Sequence, residues 1–370
     1  MNLRLVKRFL VVVFALGLVQ FSNTAFAQAH ANEQNAEAPK GHSSEGKKKE
    51  FDANEVIFGH ILDGHEFHFL DIVGDNGEKH AVTIPLPIII YSEKNGFSVF
   101  MSSKFKHGHK EYKGYNLVDG VIVPSDKTEK IYDFSLTRNV TQMLLALTLF
   151  VVIMLSIANS YKKGQGVTSA PKGIQGFLEP IVIFIRDEVA KPNLRNKVDK
   201  YLPYLLTVFF FILINNIFGL IPGTANVTGN IAFTVVLGVI SFVVILVSTN
   251  KHFWGHIINP PDVPFLVKFI LIPVEVLGVF IKPFALIIRL FANMVAGHII
   301  IICLISLIFI FGQINPIAGW GASIFSVAFT VFIYLIEVLV AFLQAFIFTM
   351  LTAVFIGQAF EGGHDHKEAH

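Results

Sequence analysis

The sequence predicts an all-α polytopic membrane protein with about five transmembrane helices and an amphipathic surface helix, preceded by a signal peptide and a small β-rich external segment. Three observations carry that expectation. Hydrophobic residues fill 53% of the 370 positions, and charged residues only 15%, against about 25% in an average soluble domain. Charge-free apolar runs of about 20 residues, the length that spans hydrocarbon, recur through the C-terminal part. Ahead of them lies a polar stretch of alternating pattern and tight-turn pairs. The net charge of +2 gives no reason to expect nucleic acid as a partner. One cysteine, Cys303, excludes an internal disulfide and argues against a redox or zinc-cluster role.

The chain opens with Arg4, Lys7 and Arg8, then the apolar "FLVVVFALGLVQF", then "AFA" at Ala25–Ala27. A basic end, a short apolar core and small residues for cleavage are the three parts of a secretory signal peptide, so 1–27 is read as one. Such a signal favours a bacterium, and it sends the adjoining segment out of the cytoplasm; an uncleaved anchor would do the same. Residues 28–52, rich in Ala, Glu, Lys, Ser and His, read as a disordered linker. In 53–132 the pattern becomes β-rich: "HEFHFLDIVGDNGEKHAVTI" alternates around Asn76-Gly77, and "PIIIYSEKNGFSVFMSS" repeats the device at Asn95-Gly96. A single β-meander over about Val56–Val123 is the simplest reading. Its histidines, including His107 and His109, match no metal-ligand spacing, nor does the tail "GGHDHKEAH"; a solvated surface, no metal and no cofactor are expected.

Residues 133–360 form the transmembrane part, and 361–370 a tail. Thr141–Ser160 is the first span, and the next two begin at Pro203 and at Ile231. Between the first two, "GIQGFLEPIVIFIRDEVAK" sets apolar residues at helical spacing beside charges, which suits a helix lying on the membrane surface. Two longer apolar segments come next, about Val267–Phe311 and Ser323–Gln358. As helices they would reach roughly 65 and 54 Å, against ~30 Å of hydrocarbon, so they must tilt or bend. Pro273 and Pro283 offer kink points, and the short "GQINPIAGWGA" makes the pair a hairpin.

Basic residues orient the array. Tyr161–Lys200 carries Lys162, Lys163, Lys172, Arg186, Lys191, Arg195, Lys197 and Lys200, whereas loops 222–230 and 312–322 carry none. Positive loops stay inside. Five spans then place the β-rich segment outside and the C-terminus in the cytoplasm, in agreement with the signal peptide.

The long hairpin holds the chemistry. Glu275, Lys282 and Arg289 are spaced by seven, and Asn293 lies four beyond Arg289, so all four share one helix face. His298 points to the opposite face. On the last helix Glu337 and Gln344 are also seven apart, with Thr330 and Gln358 on the same line. Ala292, Ala296 and Gly297 leave room for another helix to come close. Intramembrane ionisable groups mark cavities, ion paths or partners. An Arg289–Glu337 ion pair that merely holds the hairpin would account for two of these residues and leave Glu275, Asn293, His298 and Gln344 without a purpose. A row of titratable groups with one permanent cation suits a proton route with a guard. Glu and His can load and release protons; arginine cannot. The guard would stop a proton hopping straight through and would draw the proton off a passing acid. That acid must come from another subunit. A secondary transporter would bring repeated halves and a metalloprotease an H-E-x-x-H motif, and the sequence has neither.

"KPFALIIRLFANMVAGH" together with "LQAFIF" resembles the a subunit of the F-type ATP synthase, the membrane stator beside the rotating c-ring. "NNIFGLIPG", "ANVTGNIAFTVVLG" and the Glu fourteen residues before the arginine extend the resemblance over about Asp133–Gln358, and "IFGHILDG" resembles the external segment before the family's first span. The resemblance implies a non-catalytic, ion-conducting subunit of a bacterial inner membrane. Its partners would be the c-ring, a b-type peripheral stalk, the rest of the complex and the lipid bilayer. Arg289 would be the essential arginine between two aqueous half-channels, with Gln344 on the facing helix and Asn293 one turn along. Glu275, His298 and Glu337 match the polar half-channel positions. Many bacterial members carry Glu and then His at the last two positions; here the order is swapped, which keeps one acid and one imidazole across the hairpin. The coupling ion, proton or sodium, is bound chiefly by the ring, and both stay open here. The β-rich external segment of around 100 residues exceeds what the family core needs.

Overall fold

The computed structural model describes residues 63–73, 79–94, 96–105, 110–118, 120–126, 129–166, 169–221, 223–249, 253 and 264–361. The signal-peptide and linker regions, the Asn76-Gly77 turn, Asn95, the His107–His109 group, Lys251 and the tail beyond 361 lie outside the described residues.

Among the described residues seven strands precede the long helices: β1 (Glu66–Val73), β2 (Lys79–Pro85), β3 (Pro87–Ser92), β4 (Gly96–Met101), β5 (Tyr115–Val118), β6 (Val121–Pro124) and β7 (Ile131–Asp133). They form three small antiparallel sheets, β1-β2, β4-β3-β7 and β5-β6, rather than the single meander expected. Alternation dictates which face each residue takes but not which strand lies alongside, and β3 uses both of its edges. At the β3–β4 turn Gly96 sits at φ 66°, a conformation that glycine adopts without steric cost. Ile88, Ile90, Phe100, Phe105, Tyr115 and Ile122 make one apolar core, with Phe100 edge-on to Phe105 at 5.5 Å.

A buried clasp ties this region to the first long helix, α1 (Arg138–Lys162). His65 reaches the Gly120 carbonyl through Nδ1 at 2.8 Å and Asp133 Oδ2 through Nε2 at 3.1 Å. Burial works against a charged imidazole here, but the Asp133 hydrogen bond and charge, the Gly120 carbonyl and Asp63 outweigh it and raise the His65 pKa. Burial also works against charge on Asp133, and the His65 and Ser135 contacts again prevail, holding that carboxyl below its usual range. Both imidazole nitrogens face acceptors, so the protonated ring can donate through each. Next door, Arg138 N–H donates to the Gly64 carbonyl at 2.8 Å and Asn139 N–H to Asp63 Oδ1 at 3.1 Å. A distant carboxylate thus satisfies an orphan amide at the positive end of α1.

The other long helices among the described residues are α2 (Ile174–Phe184), which continues through a π-helical turn at Ile185–Ala190, then α3 (Val198–Leu220), α4 (Ile231–Ser248), α5 (Phe265–Ile314) and α6 (Pro316–Glu361). Among the described residues five helical stretches are long and apolar enough to cross a membrane, the α2–α3 run counting as one. With 50 and 46 residues, α5 and α6 extend ~75 and ~69 Å at 1.5 Å per residue. Both proline positions of α5 lie inside continuous helix. The loop expected over 312–322 shrinks to Asn315. Its Oδ1 accepts from Ile317 N–H at 2.9 Å, and Pro316 starts α6 where no amide is needed. Gly312 and Gly319 face each other there: a Cβ on Gly319 would lie 2.8 Å from Gly312 Cα.

The chain divides into two compact units. The first draws on Met1–Leu144, Phe218–Val236 and Met294–Val338; the second on Leu145–Ile217, Leu237–Asn293 and Leu339–His370. Within the first, the Gln142 amide donates to the Ala225 carbonyl at 3.0 Å and accepts from its N–H at 3.2 Å. Within the second, Tyr204 donates to Ser241 and Ser248 to Tyr201, both at 3.0 Å, which joins α3 to α4. Phe209 meets Phe342 at 5.7 Å and Phe184 meets Phe346 at 5.5 Å, fixing α6 against α3 and α2. Such polar links and close ring packing hold helices together where lipid competes equally for apolar surface.

Candidate functional site

In α5 the packed face is Pro283, Leu286, Ile287 and Leu290, all buried. Gly238 of α4 lets Ile287 come so close that an added Cβ would collide with it. This ridge determines where Arg289 points. Phe284, Ala285, Ile288, Arg289, Ala292 and Asn293 occupy the other side and are exposed. Lys282 belongs to the same exposed stripe, and Glu275 is half-buried. Among the described residues Arg289 has no ion-pair or hydrogen-bond partner. A permanent cation therefore stands on an apolar outer face, flanked by alanines.

Gln344 lies on the buried side of α6, between Ala341, Ala345 and Phe348. The sevenfold spacing that runs from Glu337 through Gln344 continues to Gln358, which is exposed. Gln358 accepts from Lys282 Nζ at 3.3 Å, and the same ammonium sits 5.1 Å from the Phe355 ring. The polar lines of α5 and α6 thus touch within the second unit.

Glu337 and His298 belong to the first unit. Glu337 is 9% exposed, and its Oε2 has no hydrogen-bond partner among the described residues. No ion pair involves it there either, so the Arg289–Glu337 pair that would hold the hairpin is not formed among these residues. The carboxyl lies against α5 at Gly297, where an added Cβ would fall on Oε1. His298, the next residue, is half-buried. The small side of α5 at Gly297, expected to admit another helix, admits an acid.

Asn215 and Asn216 are both fully buried on α3. Asn216 Nδ2 donates to the Ala341 carbonyl of α6 at 3.0 Å, and Asn215 Nδ2 to Phe211 at 2.8 Å. Their Oδ1 atoms have no partner among the described residues. Sequence reasoning assigns them no role, although two adjacent amides inside an apolar run are a signal in their own right. Asn226, in the first unit, caps its own turn through Oδ1 to Gly229 N–H at 2.9 Å and donates to the Met294 carbonyl at 3.3 Å. No group of three metal-ligating side chains occurs among the described residues.

Comparison with known proteins bears on both parts of the chain. Residues 140–357 match the family described as ATP synthase A chain, and residues 56–143 match a domain of unknown function (DUF8433). The ATP synthase subunit a of Chloroherpeton thalassium is 45% identical over 246 residues, covering 65% of this chain and 71% of that protein. The ATP synthase subunit a 2 of Chlorobium luteolum is 36% identical over 351 residues, or 94% of this chain and 84% of that protein. The subunit a of an Anaeromyxobacter species is 34% identical over 345 residues, or 90% and 77%. The two longer matches carry the similarity into the strand-rich region.

Proposed function

The chain belongs to the ATP synthase subunit a family, a multi-pass membrane component of the ATP synthase, and from that premise we propose that it conducts protons between two aqueous half-channels separated by Arg289. The observation that carries the proposal is the setting of Arg289. It is exposed on the unpacked face of α5, between Ala285 and Ala292, with no internal counter-ion among the described residues. A c-ring helix bearing a carboxylate fits such a face, because small residues admit a close helix and an unpaired guanidinium offers it a charge partner.

The carboxylate arrives protonated, and Arg289 favours its ionised form, so the proton is released into the outlet. After exchange it is protonated again from the inlet and can return to lipid. Arg289 holds its own proton throughout, so no proton crosses without rotation. Each charge moved down 100 mV releases about 2.3 kcal/mol, so several are pooled per ATP. His298 and Glu337, one imidazole and one acid, would supply exchangeable sites, and Gln344, Asn293 and Glu275 further polar positions of α5 and α6. Catalysis of ATP formation belongs to other subunits, and this one needs no cofactor. The basic loop Tyr161–Lys200 supports a cytoplasmic C-terminus, and the basic-apolar N-terminus supports export of residues 28–132 in a bacterial inner membrane. A b-type stalk would anchor the subunit beside the ring.

ATP-driven acidification of inverted membrane vesicles tests the proposal. Arg289→Gln at matched assembly is expected to abolish pumping. Normal pumping by that variant would reduce the arginine to a packing residue.

A further inference from the structure

The β4-β3-β7 sheet carries apolar residues on its outer face as well as its buried one. Its register pairs Pro87 with Met101, Ile89 with Val99, and Tyr91 with both Phe97 and Tyr132. These residues share one face, and on it Phe97 is 71% exposed, Val99 64%, Tyr132 44% and Met101 43%. The opposite face holds the core residues Ile88, Ile90 and Phe100, but it also buries Ser92 and Ser98. An antiparallel sheet with one wet face turns its polar residues outward and its apolar ones inward. In β4 the buried position takes serine while both neighbours outside are Phe97 and Val99. Water is the wrong solvent for that face, and a contiguous apolar patch of this kind marks a membrane or a partner.

The geometry points to the membrane. We propose that this face of the β4-β3-β7 sheet lies in the headgroup region of the bilayer, as a lipid-contacting platform. Its continuity with a membrane-crossing helix selects that occupant over a soluble protein. The chain leaves β7 at Asp133 and enters α1 at Arg138. Between them it still runs alongside β3, with Phe134 N–H donating to the Ile89 carbonyl at 2.8 Å and Leu136 N–H to Pro87 at 3.2 Å. The sheet therefore reaches the start of the span with no flexible spacer, and the His65–Asp133 and Asp63–Asn139 contacts hold it there. Tyr91 and Tyr132 suit an interface, where an apolar ring and a polar hydroxyl are both accommodated, and Phe97 and Met101 add apolar surface to the same face. Phe134, 36% exposed, continues the patch from the strand toward the helix, and Leu144 begins an exposed apolar side on α1 itself. The Met101 end of the sheet, paired with Pro87, is the end nearer α1; the Phe97 end is four residues further along β4.

Nitroxide labels report the solvent of this face directly. In a Cys303→Ser background, single cysteines at Phe97, Val99 and Met101, with Glu93 in the exposed turn as reference, are labelled in the assembled complex reconstituted into vesicles. Collision with oxygen, which partitions into lipid, is compared with collision with a water-soluble nickel chelate. The expected result is an oxygen-to-nickel ratio several-fold above that at Glu93, largest at Met101. A ratio equal to that at Glu93 means that the face is in water and overturns the proposal. Labels immobile and shielded from both reagents mean that a protein subunit covers the face, and overturn it equally.

Discussion

The two compact units hold different polar groups in their apolar helices. The unit holding Met294–Val338 has His298 and Glu337, both able to gain and lose a proton. The unit holding the described part of Leu237–Asn293 has Arg289, Lys282 and Glu275, with Asn293 and the amides of Asn215, Asn216 and Gln344 in the same unit. The first unit also carries the strands, and the second the basic loop. Met294–Val338 holds no lysine or arginine, whereas Leu237–Asn293 holds both beside Glu275. A permanent charge within an apolar helix calls for a cavity or a partner.

The comparison breaks most visibly at Gly297. Gly297→Val places side-chain atoms where the Glu337 carboxyl lies. Pumping in inverted vesicles is expected to fall about tenfold, the effect of ~1.4 kcal/mol on a barrier, and Glu337→Asp should restore part of it by withdrawing the carboxyl. Gly278→Ala on the same helix meets nothing within 4 Å and should pump normally. Equal effects at 297 and 278 would mean that the Glu337 contact is irrelevant. In the other unit, Asn216→Leu removes the donor to Ala341, and the complex should lose about 1 kcal/mol of thermal stability, with a smaller loss of rate. A variant as stable as the parent would show that this amide does not hold α3 to α6.

The clasp of the first unit adds a pH signature. The raised His65 pKa contributes stability that is full below its ordinary 6.5 and is lost as pH climbs through the raised value. The lowered Asp133 pKa contributes stability present above its ordinary 3.8 and lost as pH falls through the lowered value. Hydrogen exchange at the β7–α1 junction should thus be slowest between those limits and quicken on either side, whereas Asp133→Asn should be faster throughout and lose the alkaline step. The smallest effect is expected at Lys282→Met. It deletes one exposed hydrogen bond to Gln358 and should change pumping by less than about twofold.

Much of this is legible from residue order. Charge-free length gives five spans, and the sevenfold spacing puts Glu275, Lys282, Arg289 and Asn293 on one face of α5. The features that escape depend on partners far away in sequence. Alternation places Ile88 and Ile90 on one side of β3 but cannot say that β7 flanks it. Asn216 and Gly297 gain their meaning from Ala341 and Glu337, one hundred and twenty-five positions away in the first case. The loop between α5 and α6 is shorter than its Gly and Pro residues suggest, because breakers by composition need not break a helix. A single asparagine cap and a glycine pair turn the chain in one residue.

The central claim is that Arg289 is a fixed charge that blocks proton flow unless the ring turns. Passive proton flux through vesicles that keep the soluble head, with the ring held still by a covalent cross-link to the stator, tests it most directly, comparing the parent, Arg289→Lys and Arg289→Ala at equal amounts of assembled complex. The account predicts tight membranes for the parent, a marked leak for Arg289→Ala, and much less leak for Arg289→Lys, which keeps the charge. An Arg289→Ala membrane as tight as the parent would contradict it.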